Sequence, residues 1–463
     1  MAVHTWLRDE PPAPPRLVHL GLGAFARAHA VRYTDLANAV GVPAERWDVV
    51  GFTGRSARVA AALAQQDGRY TLLVRSPDGD KASVVDALSA MYDGADGTAW
   101  RDYLARPEVG VVTLTVTEAG YRRGANGGLD VADPEVAADL RWLTSARPSG
   151  GASAAVTAPG RLVDGLRARR AAVGGPVAVV SCDNLSDNGR LLARVVGELT
   201  EHVDPELARW IDSNVSFVST MVDRITPATT AADREEVCAL TGRDDAAPVV
   251  TEPFSEWVVQ GDFPAGRPAW DAVGVRFIED LEPYERRKLW LLNAGHSLLA
   301  YEGLALGLTT VAEAFAEPGL RASLEELWAG AREVLPLPRA EVDAATADLR
   351  ARFAKARIEH RLDQIARDGS QKLPVRVLAV ARARRGAGLP VGAAGAGAGA
   401  AWVRHLLERD GAATDAGAVP LTERLLGAKP SEHARVVVEA FAPDLARSDL
   451  VEAVSAQLHA TIP

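Results

Sequence analysis

Apolar runs of strand length recur through the first 275 positions. Residues 17–20, 47–52, 111–117 and 176–182 are such runs, and 215–218 is another. Between them, 57–66 and 159–172 carry the period of helices, the second with a proline suitably placed in its first turn. Strands alternating with helices predict a mostly parallel sheet covered on both faces. Beyond about residue 275 the pattern changes, and 289–308, 320–335, 339–365, 431–441 and 444–458 all read as helices. The Gly/Ala-rich stretch 386–401 reads as a loop or a close-packed helix end. No repeat with a period of 20–50 residues is visible.

One turn adds chemistry to this pattern. Gly21-Leu22-Gly23-Ala24-Phe25-Ala26 follows the first strand at once, and a helix-compatible stretch follows it. This fits the dinucleotide fingerprint G-x-G-x-x-G/A, in which glycines let the backbone approach a pyrophosphate and the next helix offers unpaired N–H groups. The fold class expected is therefore α/β: an N-terminal Rossmann-type doubly wound sheet domain at 1–275, then a mainly α-helical domain at 276–463 that binds substrate. The second strand of such a domain commonly ends in an acid that holds the ribose hydroxyls. Here it ends in Thr53-Gly54-Arg55. Arg55 would suit a 2′-phosphate, or it is a solvated loop arginine, so both NAD and NADP stay open.

Composition narrows the class without naming a ligand. The 463 residues are 48% hydrophobic and 24% charged, with a formal charge of −10. That balance argues against a dedicated nucleic-acid binder, whose affinity rests on phosphate neutralisation. Two cysteines, Cys182 and Cys238, make neither a disulfide framework nor a multi-thiolate metal site. Cys182 reads as a packing residue. The first 16 residues lack the apolar segment of a signal peptide, and no run of 18 apolar residues occurs. A cytoplasmic enzyme is expected, monomeric or a small homo-oligomer, with a small-molecule ligand and neither a nucleic-acid nor a membrane partner.

The most unusual helix begins at Tyr284-Glu285-Arg286-Arg287-Lys288 and continues to Asn293 and His296. At about 100° per residue, Asn293 lies about 140° and His296 about 80° around from Lys288, so the three share one broad face. Their neighbours are mostly apolar, and buried polar groups need partners. A ligand cavity supplies them; a hydrogen-bonded core asparagine and histidine are the plainer alternative. Polar clusters also follow two strands, Ser181-Cys182-Asp183-Asn184 and Met221-Val222-Asp223-Arg224-Ile225-Thr226-Pro227. The carboxyl ends of parallel strands are where such sheets bind ligands.

Together these motifs resemble the polyol-specific long-chain dehydrogenases. The resemblance is carried by Gly-x-Gly-x-Phe-x-Arg-Ala-His at 21–29, Ser-Cys-Asp-Asn at 181–184, Val-Asp-Arg-Ile-Thr-Pro at 222–227 and Lys-x4-Asn-x2-His at 288–296. The runs Thr-Val-Thr-Glu-Ala-Gly-Tyr at 115–121 and Thr-Glu-Pro-Phe at 251–254 also match, so the likeness extends to about residue 376. It implies a metal-independent, NAD(P)-dependent oxidoreductase in which Lys288 is the general acid/base. Asn184 and Asn293 would hydrogen-bond the developing alkoxide, and His296 and Asp223 would orient the substrate. Gly21, Gly23, Phe25, Arg27 and Arg55 would meet the cofactor, and Glu285 is a candidate proton relay. Tyr284-x-x-x-Lys288 also has the spacing of the short-chain dehydrogenase pair, but those chains are about half this length. The match is read as coincidence.

The run from Glu359 to Pro374, His-Arg-x-x-Gln-Ile-Ala-x-Asp-Gly-Ser-Gln-Lys-Leu-Pro from His360 onward, looks most like the fructuronate reductases. Mannitol 2-dehydrogenases usually carry an arginine where Gln364 stands. Lys372, with Arg361 or Arg367, would pair a sugar carboxylate. The substrate pair expected is D-mannonate and D-fructuronate; mannitol/fructose is second, and mannitol 1-phosphate is a further alternative. A non-catalytic sugar or nucleotide sensor would not need Lys288 beside two asparagines.

Overall fold

The computed structural model describes residues 6, 8, 11–54, 56–76, 78–124, 126–145, 155–354, 360–391, 393–408 and 414–459. Contacts divide the chain into two compact units, Met1–Glu282 and Pro283–Pro463.

The first unit holds strands β1 (Pro15–Leu20), β2 (Asp48–Phe52), β3 (Tyr70–Val74), β4 (Lys81–Val85), β5 (Leu88–Tyr92), β6 (Val111–Leu114), β7 (Val177–Ser181), β8 (Val215–Asp223), β9 (Val249–Thr251), β10 (Glu256–Gln260) and β11 (Arg276–Phe277). Eight of them form one sheet in the order β11-β10-β8-β7-β6-β1-β2-β5. The run from β8 to β5 is parallel throughout, whereas β10 pairs antiparallel with β8. Taken in chain order, those six parallel strands lie 3-2-1-4-5-6, the doubly wound arrangement whose direction reverses between β1 and β6. β3, β4 and β9 make a separate small sheet. Pairing of β11 with β10 holds Arg276 and Phe277 in this unit.

Alternation within the apolar runs builds a core on each face. Leu17, Val49, Val111 and Ala178 pack on one side, and Val18, Val50, Val112 and Val179 on the other. Strands buried on both faces read as continuous apolar stretches, which is why the sequence signal was plain. The run at 111–117 is shorter as a strand than expected. β6 ends at Leu114, the Thr115 N–H still bonds the Leu20 carbonyl, and the chain then enters the 3-10 turn Glu118–Tyr121.

The second unit is helical among its described residues. Helices at Pro318–Arg332, His433–Phe441 and Leu450–His459 fall within or close to the expected ranges. Two expectations are corrected. The single helix read over 339–365 is interrupted: Arg339–Phe353 is helical, but Arg361 forms an isolated antiparallel bridge with Thr310 before a short helix Leu362–Ile365. Val311 donates to the His360 carbonyl and Leu362 to the Thr309 carbonyl, so tertiary pairing overrides helix propensity there. The Gly/Ala stretch is likewise mostly a helix, Ala393–Glu408, packed against the buried helix Ala294–Ala305. A Cβ at Gly395 would meet Val377, and one at Gly397 would meet Glu302; small residues let these helices approach closely. Among the described residues no helix is long and apolar enough to cross a membrane, and no group of three or more His, Cys, Asp and Glu side chains is placed to hold a metal ion.

Candidate active site

In the first unit, the glycine turn sits where β1 and β6 diverge. Gly21 has φ +99°, and a Cβ there would fall on the backbone carbonyl of Thr115 at the end of β6, so only glycine fits. The N–H groups of Gly21 and Leu22 both donate to the Phe52 carbonyl at 2.9 Å, and the Thr115 hydroxyl donates to the Gly21 carbonyl at 2.7 Å. Buried His19 lies within hydrogen-bonding distance of Thr113 Oγ1 (2.7 Å) and Thr115 Oγ1 (3.1 Å), and burial pushes its pKa down to about 4. The strands are thus pinned beneath the turn by a neutral imidazole. Gly23 differs: φ is −113°, and a Cβ there would come no closer than 3.7 Å to other atoms of the chain. The protein's own packing does not demand this glycine, so the space above it is a cradle open to a ligand. The two glycines therefore fit a dinucleotide passing over the turn.

Two loops at carboxyl ends of parallel strands carry the polar clusters. Exposed Asn184 follows β7 on a loop whose shape Asn188 sets. The buried Asn188 carboxamide donates to the Asp183 and Thr220 carbonyls and accepts from Thr220 N–H, tying the loop to β8. Asp223 ends β8 and is half-buried. Beside it, Arg224 donates to Thr251 Oγ1, to the Glu252 carbonyl and to the Ala28 carbonyl, while the buried Glu252 carboxylate accepts from Ile225 N–H. Two sequence runs that looked separate, 222–227 and 251–254, are therefore one hydrogen-bonded structure.

Next to Asn184, the buried Asp183 carboxyl accepts a hydrogen bond from Tyr121, and burial pushes its pKa up to about 7. Burial first, and then Asp183, hold the Tyr121 phenol in its protonated, donating form. A carboxyl with a folded pKa above its unfolded value of about 3.9 binds its proton more tightly in the native state, so its contribution to stability is lost as pH rises from about 4 to 7. Asp183→Asn should accordingly gain roughly 2–4 kcal/mol relative to the parent protein between pH 4 and 8. Denaturant unfolding at a series of pH values checks this; a difference independent of pH would contradict it.

In the second unit, residues Lys288–Asn293 form a π turn rather than an α-helical one. The Ala294 N–H bonds the Leu289 carbonyl five residues back, and the Trp328 indole donates to the Leu291 carbonyl at 2.9 Å. The α-helical angle expected between Lys288 and Asn293 is thereby corrected: i→i+5 winding sets residue 293 about one turn above residue 288. Lys288 is half-buried and Asn293 buried. Arg286 lies over the Trp290 ring, while Arg287 lies over the Tyr284 ring and pairs with Glu341 at 3.3 Å. His296 is buried, and its Nε2 has no hydrogen-bond partner among the described residues. Burial, then the charges of His360, Arg352 and Arg376, push its pKa well below the usual histidine value. The imidazole is neutral.

Other expected site residues lie elsewhere. The Arg27 guanidinium is buried, donates to the Ala247 carbonyl and lies over the Tyr70 ring, so it points into the core of its unit. Phe25 stacks on His29 with ring centroids 5.0 Å apart. Arg55 and Glu359 lie outside the described residues. Gln364 is exposed on the short helix Leu362–Ile365, which packs against Ala294–Ala305. Lys372 Nζ donates to the Ile365 carbonyl at 3.3 Å and to that of Arg367. Arg361 pairs with Asp363. Buried Cys182 is a packing residue whose thiol burial pushes up. The sequence reading missed Arg376, which donates to the Asn293 carbonyl from 83 positions away, and Asn188, which resembled any helix N-terminal asparagine.

Comparison with known proteins identifies the family of both units. Residues 15–272 match the mannitol dehydrogenase Rossmann domain, and 280–462 match the mannitol dehydrogenase C-terminal domain. Mannitol 2-dehydrogenase of Cereibacter sphaeroides is 34% identical over 96% of this chain and 93% of its own. D-mannonate oxidoreductase of Escherichia coli (strain K12) is 36% identical over 78% and 74% respectively. Among solved structures, the Pseudomonas fluorescens mannitol 2-dehydrogenase ternary complex with NAD and D-mannitol superposes with a TM-score of 0.78 at 31% identity, covering 97% of this chain and 92% of that one. The chain belongs to the mannitol dehydrogenase family of oxidoreductases.

Proposed function

We propose that this protein interconverts a secondary alcohol of an open-chain hexonate with the corresponding ketone, D-mannonate and D-fructuronate being the pair, with NAD as cofactor. One observation carries the choice of an acid over a neutral polyol: the run His-Arg-x-x-Gln-Ile-Ala-x-Asp-Gly-Ser-Gln-Lys-Leu-Pro at 360–374 resembles that of the fructuronate reductases.

When bound, NAD supplies the hydride acceptor. Lys288 in its amine form takes the proton of the substrate hydroxyl as the C–H bond breaks, and returns it to the alkoxide in the reverse direction. Asn184 and Asn293 donate hydrogen bonds to the oxygen as negative charge develops on it. His296, through a nitrogen with no other partner among the described residues, and Asp223 hydrogen-bond the remaining hydroxyls. Gly21 and Gly23 let the backbone approach the pyrophosphate. Mannitol/fructose is the second reading, supported by the Cereibacter mannitol 2-dehydrogenase, which aligns over nearly the whole chain.

The test offers fructuronate, tagaturonate, fructose and fructose 6-phosphate separately, each with NADH and with NADPH. Loss of nicotinamide absorbance with fructuronate is the expected result. Turnover of fructose alone would transfer the assignment to the second reading, and no loss with any substrate would overturn both. The NADPH arm decides the role of Arg55.

A further inference from the structure

We propose that a cavity at the amino end of the large sheet is a second small-molecule site, which holds an organic metabolite by its phosphate or carboxylate group. The cavity measures about 670 Å³, within the range that takes a small organic ligand, and every residue lining it belongs to the first unit. Arg16 in β1 and Trp47, one residue before β2, line it, as do Phe263 and Arg267 after β10 and Phe277 in β11. The Gly21 turn lies at the opposite end of β1. From Arg16 to Gly21 is roughly 16 Å of extended chain, so the cavity is distinct from the cofactor cradle.

The charges that line the cavity divide by exposure. Arg16, Arg46 and Arg267 are half-buried, whereas Glu45 and Asp262 are exposed. Water screens exposed carboxylates most, so the three less solvated cations dominate the field inside. Arg267 pairs with Asp271 at 2.6 Å and lies 3.8 Å from the centre of the Phe277 ring. Arg16 differs. Its guanidinium lies over the Trp47 ring and has no hydrogen bond or ion pair among the described residues. A planar guanidinium fork matches a carboxylate or a phosphate with parallel charge-assisted hydrogen bonds. The walls are fixed in advance. The Asn38 carboxamide donates to the Trp47 carbonyl at 2.7 Å and accepts from the Trp47 N–H at 2.8 Å, and Phe263 packs edge-on against Trp270 and Phe277. A preformed site spends little of its interaction energy on ordering, and its aromatic walls suit the carbon body of an organic anion.

Isothermal titration calorimetry on the full chain with saturating NADH, which fills the cofactor cradle, tests the proposal. Glucose 6-phosphate, citrate and glucose are offered in turn. At least one of the two anions should bind with a Kd of about 1 mM or tighter, and glucose should not. Which anion binds separates a phosphate from a carboxylate as the group recognised. Arg16→Gln should weaken that binding about tenfold or more, while NADH affinity and the unfolding temperature stay as in the parent protein. Where Arg16→Gln lowers the unfolding temperature, Arg46→Gln carries the same comparison. Binding of neither anion, binding of glucose as tightly as the anions, or an anion affinity unchanged by the substitution would overturn the proposal.

Discussion

Lys288→Ala should lower kcat by about 10²–10⁴-fold while NADH still binds, because the hydroxyl proton would have no acceptor at the reacting oxygen. The loss should be confined to chemistry. Lys288 opens the π turn, and its neighbours anchor the helix: Arg286 lies over Trp290, Arg287 pairs with Glu341, and the Leu291 carbonyl accepts from Trp328. Removing the ammonium leaves those contacts intact. Tyr284→Phe is the matched control, since Tyr284 stands four residues before Lys288 and its ring lies under Arg287. That variant should keep most of its turnover. Steady-state rates and NADH binding on the two variants check the assignment. Loss of activity in Tyr284→Phe with retention in Lys288→Ala would overturn it.

Gly21→Ala and Gly23→Ala should fail in different ways, although both alter one motif. At Gly21 the positive φ and the Thr115 carbonyl leave no room for a methyl group. Strain and overpacking together should cost roughly 2–5 kcal/mol of folding stability, with cofactor binding lost as the turn shifts. At Gly23 the backbone is extended and the nearest atom is 3.7 Å from the new Cβ. Stability should change by less than about 1 kcal/mol, while affinity for NADH should fall by about tenfold or more, because the methyl occupies the approach of the pyrophosphate. Denaturant unfolding of the protein without cofactor and NADH titration separate the two effects. A Gly23→Ala variant that binds NADH like the parent protein would contradict the placement of the pyrophosphate at this turn.

What could be read from the residues alone was whatever is encoded locally. Strands β1, β2 and β7 are apolar on both faces, and such runs announce themselves in order along the chain. Gly21 was legible because a strand, a glycine turn and a helix are adjacent in sequence. The π turn was not, since nothing in Lys288-Leu289-Trp290-Leu291-Leu292-Asn293 departs from an ordinary helical pattern. Its geometry depends on the Trp328 indole and the Arg376 guanidinium, which arrive from later helices. The break near Arg361 was hidden for a similar reason, because the partner of that residue is Thr310. Arg27 misled because a motif match gives position along the chain but not the direction of a side chain. Its guanidinium is drawn to the Ala247 carbonyl, 220 residues on.

The most direct test of the central claim is the ratio of kcat/KM for D-fructuronate to that for D-fructose, measured with NADH on one preparation. The two ketoses share the reacting carbonyl and differ in whether the chain ends in a carboxylate or a hydroxymethyl. The likeness of residues 360–374 to the fructuronate reductases predicts that the acid is preferred by about tenfold or more. Equal rates, or a preference for fructose, would contradict it.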